Sequence, residues 1–187
     1  MPFQSRKDQF HLPIGMIYLD GNSLGPLPRA AADRVGRTMV DEWGDMLITG
    51  WNKAGWMAQP MALGDRIGRL IGAEAGHVTL GDTLSIKVFQ ALSAALAMTD
   101  RKVILSDSGN FPSDLYIAEG LIRAFDRDLE LRVVAPEDVA AHITDEVAVL
   151  MLTQVDYRTG RLHDMAALTA QAQAAGIVTV WDLAHSA

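Results

Sequence analysis

Apolar and polar residues follow two different periods along this chain. Short continuous apolar runs predict strands, and they lie at residues 16–19, 77–80, 103–105, 131–134, 146–155 and 178–181. Apolar residues at helical spacing predict helices, which begin at residue 29 and lie further on at residues 57–71, 86–98, 114–123, 136–142 and 165–175. Residues 1–13 have neither period and predict a loose arm, and residues 47–55 predict a glycine-broken loop.

Alternation of strands with helices predicts βαβ units joined by right-handed crossovers. The expected fold class is therefore α/β, with a mostly parallel sheet flanked by helices. Residues 1–70 are expected to form an N-terminal arm with helices, and residues 71–187 are expected to carry the sheet.

Composition narrows the class of protein. The 187 residues are 49% hydrophobic and 21% charged, with 16 Lys and Arg against 23 Asp and Glu, a formal net charge of −7. This balance argues against nucleic-acid or anionic-membrane partners, because phosphate binding needs a basic face. There is no cysteine, the N-terminus does not resemble a signal peptide, and no apolar run approaches the roughly 20 residues of a membrane span. A cytoplasmic enzyme or binding protein is expected.

The apolar run 178–181 ends in Asp182, and His185 follows three residues later. Ligands of open α/β sheets bind beyond the carboxyl ends of the strands. A carboxylate there can pair with the protonated ring nitrogen of pyridoxal phosphate, which makes the ring a better electron sink. The alternatives are a helix cap for Asp182 and a surface histidine for His185. A metal site is disfavoured, because His163 and Asp164 do not combine with these two residues at tight ligand spacing.

The turn 81–85 joins a predicted strand to a long helix and carries the hydroxyl groups of Thr83 and Ser85. Free N–H groups and a positive dipole end make such a helix start suitable for a phosphate. It is not a P-loop, because the required glycine and lysine spacing is absent. The alternative is ordinary N-capping by Asp82 or Thr83.

Two further loops follow predicted strands. Phe111 could stack on a planar ring and Asp114 could hydrogen-bond the substituents of that ring, or the pair could be a hydrophobic staple with a helix cap. Thr153 lies near the end of the run 146–155, and residues 157–160 turn after it. Its hydroxyl could face the same site as Asp182, or the segment could be an ordinary βα turn.

Together these motifs resemble kynureninases, which are pyridoxal-phosphate enzymes of the aspartate-aminotransferase fold (fold type I). The resemblance runs in order along the chain, and its motifs are YLDGNSLGP (18–26), the turn 81–85, FPSD (111–114), QVDYRTG (154–160) and DLAH (182–185). D-x-A-H also occurs in related aminotransferases and desulfurases, whereas GNSLG with FPSD and YRTG is much narrower.

The resemblance implies an activity and an assembly. The activity is hydrolysis of L-kynurenine, or its 3-hydroxy form, to anthranilate, or 3-hydroxyanthranilate, and L-alanine. The enzyme would act on this small amino-acid substrate as a homodimer. Residues 71–187 would be the first part of the pyridoxal-phosphate-binding large domain, which is incomplete here, after a helical N-terminal extension. The rival interpretations are another fold type I enzyme, such as a cysteine desulfurase or aminotransferase, and a non-catalytic fragment that dimerises.

The resemblance also implies roles for individual residues. Cofactor-binding positions are Thr83, Leu84, Ser85, Phe111, Asp114, Thr153, Asp182 and His185. The first three would bind the phosphate, Phe111 would stack on the ring, and Asp182 would pair with the pyridine nitrogen. Asp114 would lie near the phenolic oxygen or ring edge, Thr153 under the ring and His185 close to it. Substrate-binding positions are Asn22, Ser23 and Trp51, although Trp51 could equally be a packing aromatic.

The family's Schiff-base lysine follows the D-x-A-H motif by some tens of residues, whereas this chain ends at Ala187. None of its lysines matches that position: Lys7, Lys53, Lys87 and Lys102. We therefore expect no catalytic residue in this chain, which would be inactive alone unless another chain, such as the missing C-terminal half, supplies the lysine. A truncated or clipped protein is the simplest interpretation. An exposed strand edge and helix face predict instability or aggregation of the isolated chain.

Overall fold

The structure is a computed structural model that describes residues 4–125 and 127–187. The chain divides into two compact units, Met1–Leu80 and Gly81–Ala187. The predicted division into residues 1–70 and 71–187 stays a prediction.

The first unit is mainly helical. Its two short strands are β1 (Phe10–His11) and β2 (Leu27–Pro28), which pair antiparallel, and its α-helices are α1 (Arg29–Arg37), α2 (Gly50–Lys53) and α3 (Gln59–Ile71). A π-helix continues α1 over Thr38–Gly44, and 3-10 helices lie at Lys7–Gln9 and Leu47–Thr49. The helices predicted from residue 29 and over 57–71 are confirmed. The loop predicted over 47–55 is wrong, because a 3-10 helix and α2 occupy most of it.

The strand predicted at residues 16–19 is also wrong. This segment has no regular structure, and Ile17 and Leu19 are 78% and 90% exposed. The hydroxyl of Tyr18 donates instead to the carbonyl oxygen of Leu24 at 2.6 Å, which closes the glycine-rich turn on itself.

The strand predicted at residues 77–80 is wrong for a different reason. The segment lies along α3, where a Cβ built on Gly64 would come within 1.9 Å of the carbonyl oxygen of Val78. Leu80 N–H donates to the carbonyl oxygen of Pro60 at 3.3 Å. The backbone of this segment therefore packs on a glycine face of a helix and pairs with no strand.

The second unit alternates strands and helices as predicted. Its elements are α4 (Leu84–Ala97), β3 (Val103–Asp107), α5 (Pro112–Ala124), β4 (Glu130–Val134), a 3-10 helix (Pro136–His142), β5 (Val147–Thr153), α6 (Met165–Ala174) and β6 (Val178–Asp182). The strands form one parallel sheet in the order β4-β3-β5-β6, which confirms the α/β class. Gly176 follows α6 with φ +71°, a left-handed conformation that suits glycine after a helix.

Alternating side chains of the sheet form two cores. Val149 and Met151 face one core with residues of α4 and α5, whereas Leu150 and Leu152 face the other with α6 and the 3-10 helix. Both faces of the sheet are therefore covered, which explains why β5 is apolar along its whole length. Within the described residues, no helix is long and apolar enough to cross a membrane.

Candidate functional site

Two buried carboxylates lie at the sheet's carboxyl end. Asp182 ends β6, is 5% exposed, and its Oδ1 accepts from the N–H of Ala184 at 2.8 Å. Asp114 lies in the first turn of α5, is 0% exposed, and its Oδ1 accepts from the Ser113 hydroxyl at 3.4 Å. Oδ2 of each carboxylate is buried and has no hydrogen-bond partner in the part of the chain that the structure describes.

Both carboxylates line one small cavity of about 130 Å³. The other lining residues come from α4, β5 and β6: Leu84, Lys87, Val88, Ala91, Met151, Val180 and Trp181. An unpaired buried oxygen costs roughly 1–3 kcal/mol in desolvation, so two of them at one cavity indicate a place for an N–H or O–H donor.

The electrostatics of the cavity favour a proton or a cation. The pKa of Asp114 is raised to about 6, first by burial and second by the negative charge of Asp182, whereas the Ser113 hydrogen bond opposes the shift. A protonated ring nitrogen beside Asp182 would supply both a positive charge and an N–H donor.

Three rings cluster beyond the same strand ends. The ring centroids of Phe111 and Tyr157 lie 4.9 Å apart, and the ring of His185 lies 6.1 Å from Phe111 at an interplanar angle of 27°. His185 Nδ1 is buried without a partner among the described residues. Phe111 and His185 were predicted from their motifs, whereas no local pattern singled out the ring of Tyr157 within the turn 157–160.

The start of α4 shows the capping alternative for the turn 81–85, and the binding of a phosphate there stays a prediction. The Thr83 hydroxyl caps the helix by accepting from the N–H of Ile86 at 3.5 Å, so the capping alternative is present. Leu84 and Ser85 are the first two residues of the helix, and Leu84 lines the cavity. The predicted helix start at residue 86 is therefore two residues late.

Lys87 lies in the first turn of α4. Its Nζ donates to Gln90 Oε1 at 3.0 Å, and a Cβ built on Gly81 would lie 2.2 Å from that Nζ. The side chain thus folds back over the glycine turn and lines the cavity with Asp114 and Asp182. Lys87 was not predicted from the sequence to line this site, although it lies four residues after the N-cap Thr83 and therefore one helical turn further along α4.

Thr153 ends β5 and is the register partner of Asp182 in β6. Its hydroxyl donates to the carbonyl oxygen of Val155 at 3.2 Å. β5 and β6 are therefore neighbours, as the prediction required, whereas the placement of the Thr153 hydroxyl in the site of Asp182, under a cofactor ring, stays a prediction.

A second buried group was not identified as functional from the sequence. Asp107 ends β3 and is 0% exposed, and His163, 6% exposed, donates from Nε2 to Asp107 Oδ2 at 2.5 Å. The sequence feature that could have indicated this site is Asp107, which follows the apolar run 103–105 as Asp182 follows the run 178–181. No group of three or more metal-ligating side chains is found among residues 4–125 and 127–187.

The predicted substrate residues lie in the first unit. Asn22 and Ser23 are exposed in the glycine-rich turn, and Trp51 is 48% exposed in α2. The Trp51 ring packs edge-on against Trp56 at 5.9 Å, so its packing alternative is present. Contact of these residues with a substrate stays a prediction.

The second unit has the fold of pyridoxal-phosphate enzymes of fold type I. A lysine-to-alanine mutant of the cystine C-S lyase C-DES, with glycine covalently linked to its PLP cofactor, matches 98% of this chain and 51% of its own at a TM-score of 0.78 and 16% identity. The apo cysteine desulfurase from Thermococcus onnurineus NA1 matches 94% of this chain and 46% of its own at a TM-score of 0.70 and 15% identity. At such identities the likeness concerns the fold alone.

Sequence relatives of this chain include kynureninases. This chain is 52% identical over 192 residues to the kynureninase of Burkholderia pseudomallei strain K96243 and 49% identical over 191 residues to that of Deinococcus radiodurans. Each alignment covers 100% of this chain and 46% of the relative, so the chain spans about half the length of these proteins. No protein-family model matches. The predicted resemblance is confirmed, and the chain corresponds to the N-terminal half of kynureninases.

Proposed function

We propose that this chain supplies the cofactor-binding part of a kynureninase-like hydrolase that uses pyridoxal 5'-phosphate. The complete enzyme would cleave L-kynurenine, or 3-hydroxykynurenine, to anthranilate, or 3-hydroxyanthranilate, and L-alanine in the cytoplasm. The observation that carries the proposal is a pair of carboxylate oxygens, on Asp114 and Asp182, which lie at one cavity without a hydrogen-bond partner in the described part of the chain.

Asp182 would hold the pyridine nitrogen. Its Oδ2 is buried and has no hydrogen-bond partner among residues 4–125 and 127–187, while the bond from Ala184 N–H to Oδ1 fixes the orientation of the carboxylate. An ionised carboxylate in such a place accepts an N–H and stabilises its positive charge. When bound, the cofactor would supply an electron sink that the protein lacks.

Asp114 would contact the cofactor near its phenolic oxygen or ring edge. A proton on Asp114 removes the repulsion between two buried carboxylates and provides an O–H donor. Because burial raises the pKa of Asp114 to about 6, this proton is retained well above the usual range for aspartate.

The start of α4 would bind the phosphate group. The first N–H groups of this 14-residue helix have no intrahelical acceptor, and the positive end of its dipole favours an anion. Leu84 and Ser85 would donate backbone N–H groups, with the hydroxyl groups of Thr83 and Ser85 beside them. Phe111 and His185 would face the ring, with Thr153 under it.

The Schiff-base lysine would come from outside these residues. Lys102 precedes β3, at the opposite end of the sheet from Asp107 and Asp182, and is paired with Asp128 at 3.1 Å. Lys87 lines the same cavity as the two carboxylates, and its Nζ donates to Gln90. In this proposal its positive charge would offset theirs, and it would not form the Schiff base. Pyridoxal phosphate that borohydride fixes to Lys87 would contradict this assignment.

The remaining partners are proposals of the same kind. Asn22, Ser23 and Trp51 would contact the amino-acid substrate, and the complete enzyme would be a homodimer or would combine this chain with a separate C-terminal half. Turnover of cysteine, or transamination with a keto acid, would favour another fold type I enzyme.

Cofactor titration of the purified chain tests the proposal. We expect pyridoxal phosphate to acquire induced circular dichroism on binding, and Asp182→Asn to weaken binding by about ten-fold or more, because the ring nitrogen loses an ionised partner. Asp138→Asn, on the exposed surface of the 3-10 helix, is the matched control and should bind as the unaltered chain does. Equal affinities of the Asp182→Asn and Asp138→Asn variants would refute the pyridinium role.

A further inference from the structure

The buried pair Asp107 and His163 connects two loops that carry aromatic rings of the candidate site. Asp107 Oδ2 accepts from His163 Nε2 at 2.5 Å, and its Oδ1 accepts from the N–H of Gly109 at 2.6 Å. Arg161 Nη2 lies 3.5 Å from the same Oδ2. One carboxylate therefore holds the loop after β3 and the segment after β5 together.

The loop after β3 leads directly to Phe111. Asn110 Nδ2 donates to the Ser106 hydroxyl at 3.0 Å, and Asn110 Oδ1 accepts from the N–H of Phe111 at 2.7 Å. This loop has almost no spare room, because a Cβ on Gly109 would lie 3.0 Å from Asp107 Oδ1 and 3.1 Å from Asp156 Oδ2. The position of Phe111 is thus fixed through the residues that surround Asp107.

The segment after β5 carries Tyr157 and returns to His163. Val155 and Leu162 form an antiparallel bridge, and His163 N–H donates to the carbonyl oxygen of Gln154 at 3.0 Å. Arg158 Nη2 donates to the carbonyl oxygen of Ser108 at 3.0 Å, a second link between the two loops. His163 therefore closes a hairpin-like turn whose tip carries Tyr157.

We propose that Asp107 and His163 are positioning residues, which hold Phe111 and Tyr157 at a fixed distance and so shape the surface on which a planar cofactor ring stacks. The part of the inference that concerns the cofactor rests on the proposed function. Neither residue touches the cavity lined by Asp114 and Asp182, so they act through the two aromatic rings. Arg161 Nη2 also lies 3.0 Å from His163 Nε2. In this proposal the hydrogen bond from His163 to Asp107, and not merely the volume of the imidazole ring, holds the two loops together.

Two substitutions of His163 separate the hydrogen bond from packing. His163→Leu keeps the approximate volume of the side chain but removes the N–H donor. His163→Gln supplies a side-chain N–H near the position of Nε2. His142→Gln, on the 3-10 helix, is the matched control for loss of an imidazole. In each variant, ring-to-ring nuclear Overhauser effects between Phe111 and Tyr157 report positioning, and a pyridoxal phosphate titration reports affinity.

We expect His163→Leu to lose the ring contacts and to bind the cofactor about ten-fold more weakly, and His163→Gln to stay within about three-fold of the unaltered chain. Ring contacts that persist in His163→Leu would overturn the proposal, and so would a His163→Gln variant that is as impaired as His163→Leu. If the unaltered chain binds no pyridoxal phosphate, the proposed function fails, while the ring contacts still decide the positioning role.

A milder perturbation covers the case in which His163→Leu does not fold. Gly109→Ala pushes a Cβ against Asp107 and Asp156, whereas Gly120→Ala in α5 adds a Cβ in open space and is its control. Loss of the Phe111–Tyr157 contacts in Gly109→Ala alone supports the proposal, and their persistence in a folded Gly109→Ala variant contradicts it.

Discussion

The pKa of Asp114 is higher than that of an ordinary aspartate. Its side chain is fully buried, one of its oxygens has no hydrogen-bond partner among the residues that the structure describes, and Asp182 faces the same cavity. Its pKa rises from the usual 3.8 to about 6, mainly through desolvation and secondly through the charge of Asp182. Between about pH 4 and pH 6 the folded chain therefore binds a proton that the unfolded chain has lost, and stability falls as the pH rises through this window.

Asp114→Asn should remove this pH-dependent cost. We expect the free energy of unfolding of the variant to exceed that of the unaltered chain by about 1–2 kcal/mol near pH 7.5. This is less than the whole pKa shift of Asp114 would give, because solvent screens part of the charge. At about pH 3 the two should be almost equal, since Asp114 is then mostly protonated in both the folded and the unfolded state. Urea denaturation at the two pH values measures the difference, and a difference that does not change with pH would exclude this role for Asp114.

At the scale of elements, α3 depends on two small residues that face the segment after it. Gly64 and Gly68 are buried, and a Cβ at Gly64 would meet backbone atoms of Val78 at 1.9 and 2.6 Å. A backbone cannot move aside as the end of a flexible side chain does, so this approach requires glycine.

Gly64→Ala should therefore destabilise the first unit by roughly 3 kcal/mol, at the upper end of overpacking costs. Gly36→Ala is the matched control, because a Cβ added at Gly36 in α1 would lie in open space. Alanine there should stabilise the helix by up to about 1 kcal/mol. Thermal unfolding followed by far-ultraviolet circular dichroism compares the two. Equal melting temperatures for both variants would show that α3 does not need its close approach to Val78.

At the scale of the whole molecule, much apolar surface is exposed in both units. β4 and β6 are the edges of the sheet, and the first four residues of β6 are only half-buried. Large apolar side chains of the first unit are exposed too, among them Trp43 at 64% and Leu70 at 86%. Surface of this kind normally pairs with further strands, helices or another chain.

The purified chain should consequently self-associate. We expect light scattering coupled to size-exclusion chromatography to find dimers or larger species whose proportion rises with protein concentration, because exposed edges and apolar faces drive association. Loss of these species in mild denaturant, before the helices melt, would identify contacts between folded chains. A monomer that unfolds in one cooperative transition at all concentrations would contradict the prediction.

Particular residues explain how far the sequence could predict the fold and the candidate site. The apolar runs that become β3, β5 and β6 were recognisable because strands buried on both faces need no alternation. Residues 16–19 and 77–80 are equally apolar and form no strand, because a strand also needs a partner in register, which local sequence does not specify. Tyr157, Lys87 and the pair Asp107–His163 became evident only when the chain brought distant segments together.

The sequence by itself determined the alternation of strands and helices, the acidic residues that end β3 and β6, and the motifs shared with kynureninases. These features are local, because residue periodicity and chain order encode them directly. Only the tertiary structure decided that Asp114 and Asp182 face one cavity with free oxygens, and that Asp107 and His163, 56 residues apart, form a pair. Burial and partner choice depend on which strands become neighbours, and the order β4-β3-β5-β6 is a property of the folded chain as a whole.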